Sequence, residues 1–407
     1  MNTDKQLPQL CAADRCTACA ACYSICPKGA ITMAEDAVGE LHPNVDPDAC
    51  IGCGLCERTC PENGKAQVNR YGKPVVYCCW LKDPDKRRES TSGGAAYAIS
   101  AAVIGKGGHV WGAAYNADLS VRYTEANTLD ELARIQKSKY VQSYVADAFK
   151  AIKQELDAGD LVLFTGTGCH VKGLRSFLRK DYENLITVDL VCHGVPGQGV
   201  FMKYKQWLEG RYHDTLTGYL PRHKRASDGQ ETTYCSLARF ANKGDVKLEL
   251  DENSYFTGFQ HNLFLRTNCY DCQANGEERY ADITVADFWG LGKMAPFADY
   301  KQRTLGISML ALNSPKARDF FAEFSHLVEY EERTYAEACC TNTQYFRSAK
   351  PSPRRDEFRR EFPNATWDAL SAKYMKMSGK EVVLYGVKKF TPPNLLLYVK
   401  LLAKWIK

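Results

Sequence analysis

From residue 75 onwards, short apolar runs alternate with amphipathic stretches, which indicates buried strands separated by helices. The predicted strands are VVYCCW (75–80), HVWGAAY (109–115), LVLFTG (161–166), LITVDLVC (185–192), ADITVADFWG (281–290) and TLGISMLALN (304–313). The predicted helices are 92–104, which is entered through glycine, 146–159, 170–180 and 314–330, which follows a serine N-cap. This alternation predicts a mixed α/β domain whose ligands bind where the strands end.

A polar linker, PENGKAQVNRYGKP (61–74), separates this domain from a cysteine-rich N-terminus. We therefore expect a small module over 1–70, the mixed α/β domain over 71–350, and a C-terminal extension over 351–407. The extension ends in NLLLYVKLLAKWIK, in which Lys400, Lys404 and Lys407 share one face of a helix. That pattern suits either a helix lying on an anionic membrane or a terminal helix docked on the protein itself.

Two cysteine-rich segments repeat one spacing. DRCTACAACYSICPKGAI (14–31) and DACIGCGLCERTCPENG (48–64) both follow C-x2-C-x2-C-x3-C-P. In this spacing three thiolates of one loop hold one [4Fe–4S] cluster, and the fourth reaches the neighbouring cluster. The predicted ligand sets are Cys16, Cys19, Cys22 and Cys60, and Cys50, Cys53, Cys56 and Cys26. A disulfide framework or zinc is the alternative. The repeat resembles the bacterial two-cluster ferredoxin module.

Composition limits the compartment and the partners. The chain has 407 residues, of which 45% are hydrophobic and 25% charged, as in ordinary globular proteins. Its 18 cysteines, together with a polar N-terminus that lacks an export signal, indicate a reducing cytoplasm. No apolar run approaches the roughly 18 to 20 residues of a membrane-spanning helix. The formal charge of +5 is too small to indicate nucleic-acid binding. We expect a cytoplasmic protein, at most peripheral at the inner membrane surface.

A run of hydroxyl and glycine residues, RRESTSGGAAYAIS (87–100), leads into the first predicted helix of the large domain. Such a turn offers backbone N–H groups to an anion, and the alternative is a serine-capped helix that glycine packs closely. The chain has neither G-x-G-x-x-G after a strand nor a P-loop. The run alone therefore does not identify a ligand.

Motifs at separate places along the chain carry a resemblance to one family. They are STSGG (90–94), KSKYVQS (137–143), GTGCH (166–170), CHGVP (192–196) and the C-x2-C of 269–272, followed by ADITVADFWG. Together they resemble the coenzyme F420 hydrogenase/dehydrogenase beta-subunit family, in the form with an N-terminal ferredoxin, from about residue 10 to about 350. Family members often read G-T-P-C-Q where this chain has Gly168 and His170, so the departure concerns the local turn.

The resemblance implies an FAD enzyme, because in that family a flavin mediates between a two-electron donor, often the deazaflavin, and iron–sulfur clusters. It implies that the flavin pyrophosphate contacts Ser90, Ser92, Gly93 and Gly94. Lys139 and Tyr140 are then candidates to approach the isoalloxazine or the phosphates, and a solvated lysine is the alternative. Some members are chlorophyll-type reductases and others accompany polysaccharide biosynthesis, so the family does not fix the reaction.

Four further cysteines predict a third [4Fe–4S] cluster in the large domain: Cys169, Cys192, Cys269 and Cys272. Two of them follow buried strands, whose ends lie close together in a sheet, and the other two form a C-x2-C pair. The resemblance agrees, because members without the ferredoxin module still carry a cluster here. A zinc site and unpaired thiols are the alternatives.

Several polar residues near these motifs have two readings. His170 and His193 each follow a predicted ligand cysteine, and they either donate a proton near the flavin or hydrogen-bond cluster sulfur or backbone. Asp282, Asp287 and Trp289 either line a substrate pocket or stabilise turns at a strand end. The basic run PRHKR (221–225) either meets an anionic cofactor tail or is a solvated loop.

Two classes of function follow. The first is an iron–sulfur flavoprotein oxidoreductase that takes electrons from ferredoxin or a reduced deazaflavin and acts on an unknown small molecule or glycan-pathway substrate. The second is an electron-relay subunit of a larger dehydrogenase or hydrogenase complex. The fused ferredoxin module favours the first, because such a chain carries its own electron inlet.

Overall fold

The computed structural model describes residues 6–224, 234–249, 252–379 and 381–383. The predicted C-terminal amphipathic helix lies outside these residues. Among the described residues, no helix combines the length and apolar character needed to cross a membrane.

Thirteen strands are assigned within the described residues. In chain order they are β1 (Ile31–Glu35), β2 (Leu41–Val45), β3 (Val75–Leu81), β4 (His109–Tyr115), β5 (Val121–Ala126), β6 (Val162–Thr167), β7 (Leu185–Leu190), β8 (Leu216–Lys224), β9 (Tyr234–Phe240), β10 (Gly244–Lys247), β11 (Ile283–Asp287), β12 (Ser308–Leu312) and β13 (Val328–Arg333).

The described α-helices are α1 (Ala21–Ile25), α2 (Leu55–Thr59), α3 (Pro84–Glu89), α4 (Ala95–Gly105), α5 (Leu132–Ile135), α6 (Ala148–Ala158), α7 (Gly168–Leu178), α8 (Gln198–Tyr212), α9 (Ser254–Gln260), α10 (Pro315–Phe324), α11 (Tyr335–Cys339), α12 (Arg355–Glu361) and α13 (Trp367–Tyr374). Single 3₁₀ turns cover Thr267–Asp271, Tyr300–Leu305, Ser325–Leu327 and Thr343–Tyr345.

The N-terminal module consists of the antiparallel pair β1–β2 and the short helices α1 and α2. Each helix begins inside a cysteine motif, after a residue in the left-handed conformation: Ala20 at φ 56° and Gly54 at φ 68°. These left-handed residues curl each loop, so that its thiols point inward around one volume.

The large domain is built on an eight-stranded sheet in the order β13-β3-β12-β11-β7-β6-β4-β5. Strands β4, β6, β7 and β11 are parallel, and the outer pairings are antiparallel. Helices α4 and α10 pack on one face, whereas α6 and α7 pack on the other. Neighbouring strand residues such as Leu163 and Phe164 therefore enter opposite cores, as the two-residue period of a strand requires.

A second core lies beside this sheet. The antiparallel sheet β10-β9-β8 packs with α8, α9, α12 and α13 around aromatic residues that include Tyr204, Tyr255 and Trp367. Helices α12 and α13 fall in the stretch 333–375, whose polar sequence gave no prediction, yet their apolar faces complete this core.

The predicted mixed α/β architecture is confirmed, and the six predicted strands correspond to β3, β4, β6, β7, β11 and β12. The predicted helix 314–330 is wrong beyond its first ten residues. It ends at Phe324, and Val328–Arg333 forms the edge strand β13 against β3. The apolar residues of this segment suit a helix face, but the unpaired edge of β3 offers backbone hydrogen bonds instead.

Candidate functional site

The first predicted ligand set comes together where α1 meets α2. Cys16, Cys19 and Cys22 lie in one loop, and Cys60 follows α2. Burial raises the pKa of Cys22, and the nearby thiols of Cys19, Cys16 and Cys60 raise it further. We call these four residues the inner tetrad, because they lie on the side of the module that faces the large domain.

The second set lies on the opposite, solvent side of the module. Cys26, Cys50, Cys53 and Cys56 line one open pocket of about 350 Å³ together with apolar residues such as Ile31. Cys53 and the adjacent Ile51 are exposed. We call these four cysteines the outer tetrad.

The third set is assembled at the carboxyl edge of the parallel strands. The register of β6 and β7 pairs Thr167 with Leu190, so Cys169 and Cys192, each two residues further on, leave the sheet side by side. The 3₁₀ turn that ends at Asp271 brings Cys269 and Cys272 to them.

Burial raises the pKa of three of these thiols to about 12, namely Cys169, Cys192 and Cys269, and the neighbouring thiols of the set add to each shift. Such mutual effects require all four sulfurs to lie close together. We call Cys169, Cys192, Cys269 and Cys272 the core tetrad.

Backbone donors test whether these sites fit iron–sulfur clusters. In each tetrad an N–H two or four residues along the chain donates to a ligand sulfur at 3.3 or 3.4 Å: Ala18 to Cys16, Ala30 to Cys26, Gly52 to Cys50, Gly194 to Cys192 and Ala274 to Cys272. N–H···S bonds of this kind favour thiolate and tune cluster potentials. The donor geometry fits the groups that the sequence predicts.

The spacing of the sulfurs bears on the alternatives. All 18 cysteines are free thiols. A tetrahedral zinc site with Zn–S bonds of about 2.3 Å brings its sulfurs within about 4 Å of one another. Within the described part of the chain, no three cysteines have sulfurs that all lie within 4.8 Å. The wider spread fits a multinuclear cluster better than a single zinc ion.

Helix α7 connects the inner and core tetrads. It carries Cys169 in its first turn, and Gly173 one turn later lies against the inner tetrad, where an added Cβ would come within 2.4 Å of Cys19 Cβ. The nearly buried pair Lys172–Glu62, at 2.8 Å, and the hydrogen bond from Ser176 to the Thr59 carbonyl, at 2.6 Å, hold the module on this helix.

The predicted pyrophosphate turn is tightly packed. A Cβ on Gly93 would lie 2.4 Å from the Cys79 carbonyl oxygen and 2.6 Å from Ser308 N. Gly94 has a left-handed φ of 95°. Ser90 donates to the Lys86 carbonyl and Ser92 to the Ile307 carbonyl. Close packing thus accounts for the two glycines without a ligand, and contact with flavin stays a prediction.

The two predicted flavin segments are brought together by the end of β8. Lys224 donates to the Ser92 carbonyl at 2.5 Å, and Arg222 bonds Asp287 at 2.7 Å. Burial raises the pKa of Tyr140, and the neighbouring Arg222 guanidinium opposes that shift through its charge and a hydrogen bond.

Of the predicted residues in this neighbourhood, Lys139 donates to the carbonyls of Arg134 and Gln136, and the half-exposed Trp289 lies under the Arg222 guanidinium. The basic run 221–225 is therefore not only a solvated loop, because Arg222 and Lys224 have inward contacts.

Both predicted catalytic histidines are largely buried. His170 Nδ1 lies 2.9 Å from the Tyr123 hydroxyl, and burial lowers its pKa to about 4. His193 Nε2 lies 2.6 Å from Asn262 Oδ1, its ring packs on Phe259, and burial lowers its pKa. The neutral rings are therefore favoured near neutral pH. A role in proton transfer stays a prediction.

The two predicted carboxylates differ in role. Asp282 is fully buried and accepts from Thr187, Arg175 and Ser314, so it holds β7, α7 and α10 together. That is the structural reading of the sequence. Asp287 instead pairs with Arg222 beside Trp289, at the strand end where ligands of α/β sheets bind.

Sequence reasoning left Cys11 unassigned, yet its thiol lies beside the inner tetrad. Hydrogen bonds with Cys16 and Cys60 raise the pKa of Cys11, whereas the bond from Cys11 lowers the pKa of Cys16 to about 4. Its place five residues before Cys16 matches no ligand spacing, so no sequence signal was available.

Comparison with known proteins divides the chain in the same way. Residues 159–337 match the family that describes the C terminus of the beta subunit of coenzyme F420 hydrogenase/dehydrogenase, and residues 15–63 match the "4Fe-4S dicluster domain". The resemblance carried by the sequence motifs is therefore confirmed.

Curated relatives match over short stretches. A component of the Na(+)-translocating ferredoxin:NAD(+) oxidoreductase complex of Acetobacterium woodii is 33% identical over 63 residues, 16% of this chain and 18% of that protein. The pyruvate synthase protein PorD of Methanocaldococcus jannaschii is 40% identical over 55 residues, 14% of this chain and 59% of that protein. Ferredoxin 7Fe of Hydrogenibacillus schlegelii is 43% identical over 42 residues, 10% of this chain and 47% of that protein. The chain thus spans less than two thirds of each of these relatives.

Among solved structures, a chain of the xenon-derivatised F420-reducing [NiFe] hydrogenase complex from Methanosarcina barkeri aligns at 13% identity with a TM-score of 0.42, over 75% of this chain and 90% of that one. That score is too low to establish a shared fold by itself. The matched families are more specific: this chain joins a 4Fe–4S dicluster domain to a domain of the coenzyme F420 hydrogenase/dehydrogenase beta-subunit family.

Proposed function

We propose that this chain is an FAD-dependent iron–sulfur oxidoreductase with three [4Fe–4S] clusters, one in each tetrad. The observation that carries the proposal is the convergence of the core tetrad at the carboxyl edge of the sheet, against the module that holds the other two tetrads. When bound, the clusters carry single electrons and FAD exchanges a hydride for single electrons, so the chain connects a two-electron reaction to one-electron carriers.

The order of the tetrads supports a directional path through the protein. The outer tetrad opens to solvent beside Ile51, where a donor protein can approach. The inner tetrad is buried against α7. Gly173, which contacts Cys19, follows Cys169 by four residues, or about 6 Å of helix rise. One rigid helix therefore fixes the separation of the inner and core tetrads.

The flavin is proposed to lie beside the core tetrad, between the STSGG turn and Tyr140. The side chains of Arg222 and Lys224 support this location, because they tie the two segments together and add positive charge near a turn that suits pyrophosphate. Phe259 stacks on Tyr140 at 4.5 Å and contacts His193, so apolar rings exclude water between this region and Cys192.

The electron donor is proposed to be reduced ferredoxin or a reduced deazaflavin, and the acceptor a small molecule or glycan precursor. The alternative is an electron-relay subunit without a substrate of its own. A purified chain whose own flavin is bleached by reduced ferredoxin would exclude a relay that depends on other proteins of a complex.

Iron and flavin content test the proposal directly. Anaerobically purified protein should hold about twelve irons per chain, and Cys269→Ser/Cys272→Ser should hold about eight, because each cluster contributes four. Acid-released flavin should be FAD by chromatography. About eight irons in both proteins would exclude the third cluster.

Cys340→Ser is the matched control. Cys340 is exposed and lies outside the three tetrads, so the variant should retain about twelve irons. A loss of iron in this control would show that the count reports general damage to the protein. A full iron complement without flavin would leave an iron–sulfur relay protein and exclude the oxidoreductase.

A further inference from the structure

Arg266 is a fully buried cation between the inner and core tetrads. Its side chain is 1% exposed. The Nη2 group donates to the Cys16 carbonyl at 2.9 Å and to the Leu41 carbonyl at 3.1 Å, while Nη1 donates to Gln142 Oε1 at 2.8 Å and Nε to Asn268 Oδ1 at 3.3 Å. The guanidinium thus enters the ferredoxin module and lies next to a ligand of the inner tetrad.

The backbone of the same residue belongs to the core tetrad. Arg266 N donates to the Val195 carbonyl, three residues after Cys192, and the Arg266 carbonyl accepts from Cys269 N at 3.0 Å. Burial raises the pKa of Cys269, and the charge of Arg266 opposes that shift. One residue is therefore adjacent to ligands of both sites.

All four acceptors of Arg266 are neutral, and no carboxylate among the described residues lies within 4.0 Å of its nitrogens. The other buried cations nearby are paired, Arg279 with Asp189 at 2.7 Å and Lys172 with Glu62 at 2.8 Å. An unpaired buried charge is costly, so it is retained only where an anion compensates it. Four thiolates around iron make each tetrad such an anion.

We infer that Arg266 is the shared counter-charge of the inner and core clusters and sets their reduction potentials together. Each arriving electron adds one negative charge to a cluster, and no bond forms or breaks. A fixed positive charge between the two sites therefore stabilises both reduced states and keeps the two potentials close. The outer tetrad, on the far side of the module, is outside this effect. The inference rests on the proposed function and adds a positioning residue to it.

Redox titration of the holoprotein, followed by low-temperature EPR, tests this role. Arg266→Gln removes the charge and should lower two of the three midpoint potentials. We expect at least a tenfold fall in the ratio of reduced to oxidised cluster at a fixed potential, or about 59 mV for one electron. The third potential, that of the outer cluster, should not change.

Two controls separate charge from structure. Arg266→Lys keeps the charge, and Gln142→Leu disrupts the same hydrogen-bond network without changing charge, so both should retain wild-type potentials. If Arg266→Gln does not load iron, Arg266→Met/Gln142→Met removes the charge together with its side-chain acceptor and should show the same fall.

Unchanged potentials in the variants that lack the charge, with about twelve irons present, would overturn the role of Arg266 and leave the proposed function intact. An equal fall in Gln142→Leu would also overturn it, because a loosened interface would then be the cause. A wild-type protein with about eight irons would instead overturn the three-cluster function itself.

Discussion

The ferredoxin tetrads and the core tetrad reach one arrangement by different routes. In the module, all eight ligands fall within 45 residues, and left-handed residues such as Ala20 and Gly54 turn each loop around its thiols. In the large domain the four ligands span 104 residues and come from two strand ends and a 3₁₀ turn. The first kind of site depends on local backbone shape, and the second depends on the sheet.

The largest expected effect comes from breaking the support of the core tetrad alone. Arg279 and Asp189 form a buried ion pair at 2.7 Å beside Cys192 and Cys272. Arg279→Met leaves the carboxylate buried without its partner, which should lower the free energy of unfolding by about 3–5 kcal/mol. Iron analysis should then show about eight irons, because only the core cluster depends on this support.

The double variant Arg279→Met/Asp189→Leu is the control for this experiment. Removing both charges should recover most of the lost stability, since no unpaired ion remains. Iron content well below eight in the single variant would contradict the comparison, because the ferredoxin tetrads would then also depend on the sheet.

A smaller effect is expected at the junction between the two regions. In Gly173→Ala the new methyl group would overlap Cys19, which should cost about 1–3 kcal/mol and loosen the module. Thermal unfolding and limited proteolysis of the linker 61–74 measure this change. Gly210→Ala, in α8 with open space around it, should instead gain up to about 1 kcal/mol. Equal behaviour of the two variants would show that the module is not held by this contact.

The smallest effect compares the two repeats with each other. Ala18 and Gly52 occupy the same place in their motifs, with φ of 51° and 69°. The left-handed conformation costs a residue with a Cβ about 1–2 kcal/mol. Ala18→Gly should therefore stabilise the module by about 1 kcal/mol, and Gly52→Ala should destabilise it by a similar amount in thermal unfolding. A destabilised Ala18→Gly would show that the buried methyl group contributes more than the backbone strain.

Several elements could be predicted from the sequence because their signals are local. The strand runs that became β6 and β7 are short and apolar, and turn residues delimit them. The helix expected to continue beyond Phe324 was wrong, because pairing with the edge of β3 is a long-range interaction. Helices α12 and α13 were missed for a related reason, since their apolar residues only form a face once the aromatic core of α8 and α9 is present.

The candidate site shows the same division. The cysteines of the repeats were identified by spacing, whereas the proximity of Cys11 to Cys16 depends on how the N-terminal segment folds back. The predicted pyrophosphate glycines have a packing role against β3 and β12 that no spacing reveals. The link between that turn and Tyr140 passes through Arg222 and Lys224, which lie more than 80 residues further along the chain.

By itself, the sequence determined the chemistry of this protein: two cysteine repeats of fixed spacing specify cluster loops, because a few residues of backbone are enough to place three thiolates. Only the tertiary structure decided the order of the sites. The helix that begins with Cys169 also carries Gly173 against Cys19, and Arg266 reaches from the core loop to the Cys16 carbonyl. Such contacts join residues up to 250 positions apart. They form because burial of the module on the large domain brings these residues together, which no local pattern can encode.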